Sequence, residues 1–147
     1  MRFACDVMLG KLARYLRILG FDATYLLGKV DPCDLCDKED PRVFLTRRRK
    51  AFVSERTIYI RAENVREQLK EIKGLIKPFI DPDKLLGRCI DCNVPLTDVK
   101  KEIIEHRVPE FVFHTYNAFK VCPRCDSVYW AGTHTEQMAA LIEEVTG

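Results

Sequence analysis

The sequence contains no hydrophobic run that approaches the ~20 residues needed for a membrane-spanning helix. Its amino terminus lacks the pattern of a signal peptide, because Asp6, Lys11 and Arg14 interrupt the apolar residues. No Ser or Cys is paired with a His at a spacing typical of acyl-transfer enzymes, and no repeat or low-complexity segment is present. These absences predict a cytoplasmic protein with no membrane partner.

The composition is that of a soluble globular protein, with 47% hydrophobic and 31% charged residues in 147. The net charge of +2 conceals an uneven distribution. Residues 1–80 contain 17 Lys/Arg and 11 Asp/Glu, a net charge of +6, whereas residues 81–147 contain 7 and 11, a net charge of −4. The basic half is therefore the better candidate for binding a polyanion.

Hydrophobic periodicity in the first half predicts strands that alternate with helices. We predict strands at residues 2–5, 23–27, 43–46 and 57–60, and helices at residues 8–20, 34–40 and 62–77. This order is typical of an α/β fold with a parallel sheet and flanking helices. Ligands of such sheets bind outside the carboxyl ends of the strands, so Asp6 and residues 46–50 are expected at one edge.

The turn residues Pro78, Pro82 and Gly87 predict a domain boundary near residues 78–87, with domains at 1–80 and 81–147. In the second domain we predict helices at 98–106 and 135–145 and strands at 111–113, 119–121 and 128–130. About 60 residues provide little core, so this small domain is expected to need a metal ion for stability.

Two Cys-x-x-Cys pairs in the second half predict that metal site. The four residues are Cys89, Cys92, Cys122 and Cys125. Four thiolates from two tight turns suit tetrahedral structural Zn²⁺, which leaves no open position for substrate; a disulfide or redox role is the alternative. A third pair, Cys33 and Cys36, has no further Cys or His nearby, so free thiols, a redox disulfide and a second metal site all stay open.

Two features of the first half have a structural and a functional interpretation. Asp6 either caps the following helix or binds a divalent cation. A run of four cations is either a solvated surface or a phosphate-binding tip, which Lys11, Arg14 and Arg17 in the same half would support. The run consists of Arg47, Arg48, Arg49 and Lys50.

Residues 3–22 closely resemble the opening of the Mut7-C proteins, a PIN-like ribonuclease family with a fused zinc ribbon. Shorter matches follow in order at residues 45–47, 88–93, 107–109 and 122–134. The resemblance implies a PIN-like α/β domain, followed by a small zinc-ribbon domain, that cuts RNA with Mg²⁺ or Mn²⁺ held by carboxylates. Asp6, Asp22 and Asp34 match this catalytic set.

Arg48 departs from the family pattern, because it stands where a metal-binding Asp is expected after Leu-Thr-Arg. Repulsion between two unit charges at ~4 Å is about 4 kcal/mol at an effective dielectric constant of ~20, and the double charge of the metal ion increases it further. The resemblance therefore leaves two hypotheses, a Mg²⁺- or Mn²⁺-dependent ribonuclease and an inactive RNA-binding or protein-interaction adaptor. A thiol-based sensor that uses Cys33 and Cys36 is a third.

Overall fold

A computed structural model describes residues 1–27, 42–49 and 55–146. Its first part contains a four-stranded parallel sheet in the order β2-β1-β3-β4. The strands are β1 (Arg2–Cys5), β2 (Asp22–Tyr25), β3 (Val43–Thr46) and β4 (Thr57–Tyr59). The helices are α1 (Gly10–Ile18), which follows a 3₁₀ turn at Val7–Leu9, and α2 (Val65–Ile76). The predicted α/β class and parallel sheet are confirmed; the helix predicted at 34–40 lies outside the described residues.

The second part contains a three-stranded antiparallel sheet in the order β5-β6-β7. Its strands are β5 (Thr97–Val99), β6 (Phe119–Val121) and β7 (Val128–Tyr129). A 3₁₀ helix at Lys101–Arg107 and α3 (Glu110–Thr115) lie between β5 and β6, and α4 (Thr133–Thr146) ends the chain's described part. Short 3₁₀ turns at Lys77–Phe79 and Pro82–Lys84 connect the two parts.

Two sequence predictions in the second part are wrong. The predicted strand at 111–113 is helix α3, because Val108, Val112 and Tyr116 recur at a spacing of four and pack into one small core. The predicted helix at 98–106 begins as strand β5, which pairs with β6, and only then turns into a 3₁₀ helix. Pairing with a neighbouring strand overrides local propensity here.

The last helix packs against the first part of the molecule. Met138 and Ile142 of α4 are buried in the same core as Phe3 of β1, Leu16 of α1 and Leu69 of α2. This helix was predicted within the domain at 81–147, whereas its apolar face completes the core of the α/β part. No helix among the described residues is both long and apolar enough to span a bilayer.

Candidate functional site

Asp6 lies at the carboxyl end of the parallel sheet, directly after β1. Its backbone N–H donates to the carbonyl of Leu45 at 3.0 Å, which extends the pairing of β1 with β3. The residue has 0% exposed surface. It makes no side-chain capping hydrogen bond to the 3₁₀ turn that follows, although the nearby backbone N–H of Met8 helps to lower the pKa of its carboxyl. A buried carboxylate needs donors or cations nearby.

Thr46 and Arg48 supply those donors. The Thr46 hydroxyl donates to Asp6 Oδ2 at 2.7 Å, and Arg48 Nε donates to the same oxygen at 2.7 Å. Thr46 Oγ1 also accepts the backbone N–H of Arg48 at 3.0 Å. The Thr46 hydroxyl therefore positions both members of the ion pair. The Arg48 side chain points toward Asp6, although part of it is exposed to solvent.

The second carboxylate oxygen of Asp6 is buried and has no hydrogen-bond partner among the described residues. Burial raises the pKa of Asp6, but the hydrogen bonds from Thr46 and Arg48 outweigh it, so the pKa lies below its ordinary value. Asp6 is therefore an anion at neutral pH. The neighbouring Cys5 is different, because burial raises the pKa of its thiol to about 12 and keeps it neutral.

The described residues around Asp6 do not form a Mg²⁺ or Mn²⁺ site. Within residues 1–27, 42–49 and 55–146, the sole group of three or more potential metal ligands is the cysteine cluster discussed below. The Arg48 guanidinium is bonded to the carboxylate that a metal ion would use. A divalent cation at Asp6 would therefore lie close to this guanidinium and be repelled by it.

The other cations of the run lie beside Arg48. Arg47 Nη2 donates to the carbonyl of Arg61 at 3.1 Å, and Arg49 Nε donates to the Tyr59 hydroxyl at 3.3 Å. The guanidinium carbon (Cζ) of Arg49 also lies 6.0 Å from the centre of the Tyr59 ring. Both residues therefore lean toward β4 and the loop after it. Lys50 lies outside the described residues.

Asp22 does not join Asp6. It begins β2 opposite Arg2, at the amino end of the sheet, roughly 13 Å from Asp6 at 3.3 Å per residue. Its carboxylate accepts hydrogen bonds from Arg42 at 2.8 and 3.0 Å, from Arg2 at 3.1 Å and from Asn93 at 2.7 Å. A catalytic metal ion shared by Asp22 and Asp6 is therefore incompatible with these positions. Asp34 lies outside the described residues.

The four predicted cysteines lie together. The Sγ atoms of Cys89, Cys92, Cys122 and Cys125 are all within 4.8 Å of one another, and those of Cys89 and Cys125 are 3.8 Å apart. Zn–S bonds of ~2.3 Å in a tetrahedron place the sulfurs about 3.8 Å apart. Backbone N–H groups donate to Cys89 Sγ from residue 92 and to Cys122 Sγ from residues 124 and 125. The cluster could therefore hold a metal ion such as zinc.

Each Cys pair forms the same tight turn, which we call knuckle 1 (residues 89–94) and knuckle 2 (residues 122–127). In each, the N–H of the fifth residue donates to the carbonyl of the first at 2.9 Å. This fifth residue, Asn93 or Asp126, has a positive φ of 64° or 65°. Asn and Asp tolerate this conformation better than most other residues. Because the hydrogen bond and the positive φ are the same in both, the two turns are structurally equivalent.

Knuckle 1 is also bonded to the α/β part. Asn93 Oδ1 accepts the backbone N–H of Ala23 at 3.0 Å, while its Nδ2 donates to Asp22. The buried Arg17 donates through Nε to the carbonyl of Ala23 at 2.9 Å and through Nη1 to that of Ile90 at 2.5 Å. Sequence reasoning missed this junction. An Asn after the second Cys and an Arg within an apolar helix were its signals.

Lys11 and Arg14 lie on α1, at a cavity of about 660 Å³ between α1 and knuckle 1. Both residues are exposed. The structure therefore places the predicted RNA-binding residues in two groups, one at the tip with Arg48 and one along α1. Their role stays a prediction.

The comparisons with known proteins identify one family. The model of the Mut7-C RNase domain matches residues 1–142, nearly the whole chain. Comparison with curated proteins found no match, and comparison with solved structures found none either.

Proposed function

The chain belongs to the Mut7-C RNase domain family, which suggests a ribonuclease-like function, and from this premise we propose that it binds RNA without cleaving it by divalent-metal catalysis. The observation that supports the proposal is the ion pair at the carboxyl end of the sheet. Arg48 Nε lies 2.7 Å from Oδ2 of the fully buried Asp6. A divalent metal ion at Asp6 would thus lie beside a cation of the protein, which weakens its binding.

The same arginine is suited to hold a phosphate. Its side chain is 45% exposed, and its two terminal nitrogens make no hydrogen bond to any residue that the structure describes. Since Asp6 orients the guanidinium through Nε, these nitrogens remain for an anion outside the protein. Arginine binds phosphate oxygens through two parallel N–H donors, and the bond is strong because both groups are charged.

The surrounding charge favours a polyanion. Arg47 and Arg49 flank Arg48, and residues 1–80 have a net charge of +6. Such a surface attracts the phosphate backbone of RNA without reading its bases, so we expect weak sequence specificity and a strong dependence on salt.

The cysteine cluster has a structural role in this proposal. A Cys₄ site closes the coordination sphere of Zn²⁺ and leaves no position for a substrate. Zn²⁺ would stabilise the small antiparallel sheet and hold knuckle 1 against β2. Zinc binding therefore contributes to the shape of the protein and not to a chemical step.

RNA binding can be tested by fluorescence anisotropy with a labelled single-stranded oligonucleotide at several salt concentrations. We expect Arg48→Ala to weaken binding about three- to tenfold, because one charged phosphate contact is lost. The variant Lys70→Ala/Lys73→Ala on α2 is the control for a general loss of positive charge. No binding by the wild type, or equal effects of the two variants, would contradict the proposal.

The absence of metal catalysis needs a separate measurement. Single-stranded and structured RNA are incubated with the wild type, Asp6→Asn and Arg48→Asp in Mn²⁺ or in EDTA. We expect the wild type to show no Mn²⁺-dependent cleavage. Cleavage by the wild type that Asp6→Asn abolishes would instead establish the metal-dependent ribonuclease. Cleavage only by Arg48→Asp would show that Arg48 alone inactivates the site.

A further inference from the structure

A cavity of about 660 Å³ lies between α1 and knuckle 1. Its volume lies within the range of roughly 300–1,000 Å³ that is usual for ligand pockets. One wall is α1, with Lys11, Arg14 and Tyr15; the other is knuckle 1, with Ile90 and Asp91. It belongs neither to the cysteine cluster nor to the Asp6 ion pair.

The cavity begins at the same edge of the sheet as Arg48. Tyr25, the last residue of β2, pairs with Cys5 in β1 and lines the cavity. Its hydroxyl donates to the carbonyl of Val7, one residue after Asp6, at 2.6 Å. Gly10 opens α1 here, and a Cβ at this position would lie 3.2 Å from the Tyr25 ring. The first turn of α1 therefore lies close to the tyrosine, which places this end of the cavity at the sheet edge that also contains Asp6.

The charges along the cavity favour an anion. Lys11 is exposed, and the Arg14 side chain is 54% exposed. Among the described residues, Arg14 has one carboxylate within ion-pair distance, that of Asp91, 3.8 Å away on a side chain that is itself 65% exposed. A pair this long and this exposed is weak, so a phosphate can compete for the arginine. The guanidinium of Arg17 is different, because it already donates to backbone carbonyls and only shapes the wall.

We propose that this groove holds a single-stranded RNA segment, with phosphates bound by Lys11 and Arg14 and a base against Tyr25. The inference rests on the proposed function, since it extends the strand whose phosphate Arg48 binds. Aromatic side chains beside a cationic groove are the usual means of holding single strands without sequence preference. Knuckle 1 forms the second wall, so the cysteine cluster shapes the RNA site although it binds no RNA itself.

The test measures the affinity of a labelled 12-nucleotide oligouridylate across a salt series. Lys11→Ala/Arg14→Ala should weaken binding about tenfold and reduce the slope of log Kd against log salt by about 1.4, since each lost phosphate contact contributes about 0.7 for a single strand. Lys70→Ala/Lys73→Ala removes the same charge from α2 and should leave the slope unchanged. Asp91→Asn removes the competing carboxylate and should tighten binding about threefold.

Crosslinking separates contact with the groove from a remote charge effect. An oligouridylate that contains 4-thiouridine should crosslink to Tyr25 or to residues 90–91, as located by mass spectrometry of the wild type. No RNA binding at all would overturn the proposed function and this inference together. Binding that responds to Arg48→Ala, but not to Lys11→Ala/Arg14→Ala, and that gives no crosslink in the groove would overturn this inference alone.

Discussion

The two ends of the parallel sheet each contain a carboxylate with a lowered pKa, and the two differ in how completely they are bonded. At the amino end, Asp22 accepts hydrogen bonds from Arg2, Arg42 and Asn93, and both of its oxygens are used. At the carboxyl end, both donors to Asp6 meet one oxygen, and the other has no partner among the described residues. The first arrangement joins parts of the molecule. In the second, Asp6 Oδ1 and the terminal nitrogens of Arg48 have no partner among the described residues, and the nitrogens are therefore available to an anion such as phosphate.

If the cysteine cluster holds Zn²⁺, as proposed, removal of this ion should have the largest effect, and it should affect the amino end of the parallel sheet but not the carboxyl end. Structural zinc contributes about 10–16 kcal/mol of apparent binding free energy. Chelation should therefore unfold the antiparallel sheet and release Asn93, which removes the acceptor of the Ala23 N–H. Amide hydrogen exchange should show loss of protection at Ala23 and in β5–β7. The Asp6 amide, bonded to Leu45, should stay protected.

Two controls make the chelation experiment specific. Added Zn²⁺ should restore the protection of the Ala23 amide from hydrogen exchange. The Cys122→Ser variant should show the same loss of protection when no chelator is present. Equal loss of protection at Asp6 and Ala23 would show that the two ends are a single cooperative unit.

Asp22→Asn should produce the next largest effect. The guanidinium and amide groups around Asp22 more than offset the effect of burial and lower its pKa to about 2. A shift of this size from 3.8 corresponds to about 2 kcal/mol in the free energy of unfolding. Because the folded-state pKa is lowered, this stability is present above about pH 4 and disappears as the pH falls toward 2. Urea unfolding of Asp22→Asn should therefore differ from the wild type at pH 7 and converge with it near pH 2.

The matched control for Asp22 is Asp98→Asn. Asp98 is exposed and lies 3.9 Å from Lys120, so its pair is weak and its loss should change the unfolding curve little. A large effect of Asp98→Asn, or a difference between Asp22→Asn and the wild type that persists at pH 2, would contradict the assignment of the stability to the Asp22 carboxylate.

Much of the fold follows from short-range patterns that the sequence displays. The strand at residues 2–5 and the strand at 43–46 match β1 and β3, because compact apolar runs bounded by charge or turn residues leave few alternatives. The cysteine cluster also follows from spacing alone. Residues 111–113 were misassigned because Phe111 and Phe113 suggest alternation, although Phe111 is 69% exposed and Val112 faces the core.

The site was harder to predict because it depends on direction and distance. The resemblance to the family identifies Arg48 as the unusual residue, but only the structure shows that its side chain is hydrogen-bonded to Asp6. Conversely, the resemblance groups Asp6 with Asp22, and the parallel register separates them by the length of a strand. Arg17 and Asn93 are signals that the sequence displays, but which groups they bond is visible only when the structure brings knuckle 1 and β2 together.

Asn93→Gly should have a smaller effect than Asp22→Asn, and it tests whether the amino end depends on the knuckle. Glycine accepts the positive φ of this position without strain, so the substitution removes only the side-chain bonds to Ala23 and Asp22. Two hydrogen bonds at about 0.5–1.5 kcal/mol each amount to about 1–3 kcal/mol. Because glycine tolerates the positive φ better than asparagine, it offsets part of this loss, and the free energy of unfolding should fall by about 1–2 kcal/mol. Asp126→Gly is the equivalent change in knuckle 2 and should be close to neutral. Similar losses would mean that the turn, and not the junction, is what the substitution weakens.

Arg48→Met should have the smallest effect on stability and a large one on RNA binding, which would separate the two ends most clearly. Arg48 is half-exposed, so its ion pair is screened by solvent and its loss should lower the free energy of unfolding by only about 1 kcal/mol at pH 7.

The Arg48→Met substitution should also raise the pKa of Asp6, because it removes one of the hydrogen bonds that offset the effect of burial. Protonation of Asp6 removes the partner of Arg48 in the wild type as well, so the difference between the two proteins should shrink as the pH falls below about 4. Urea unfolding at pH 7 and pH 3, beside anisotropy at pH 7, measures both effects. A loss in stability as large as that of Asp22→Asn would show that Arg48 is a structural partner of Asp6 and not a cation held ready for phosphate.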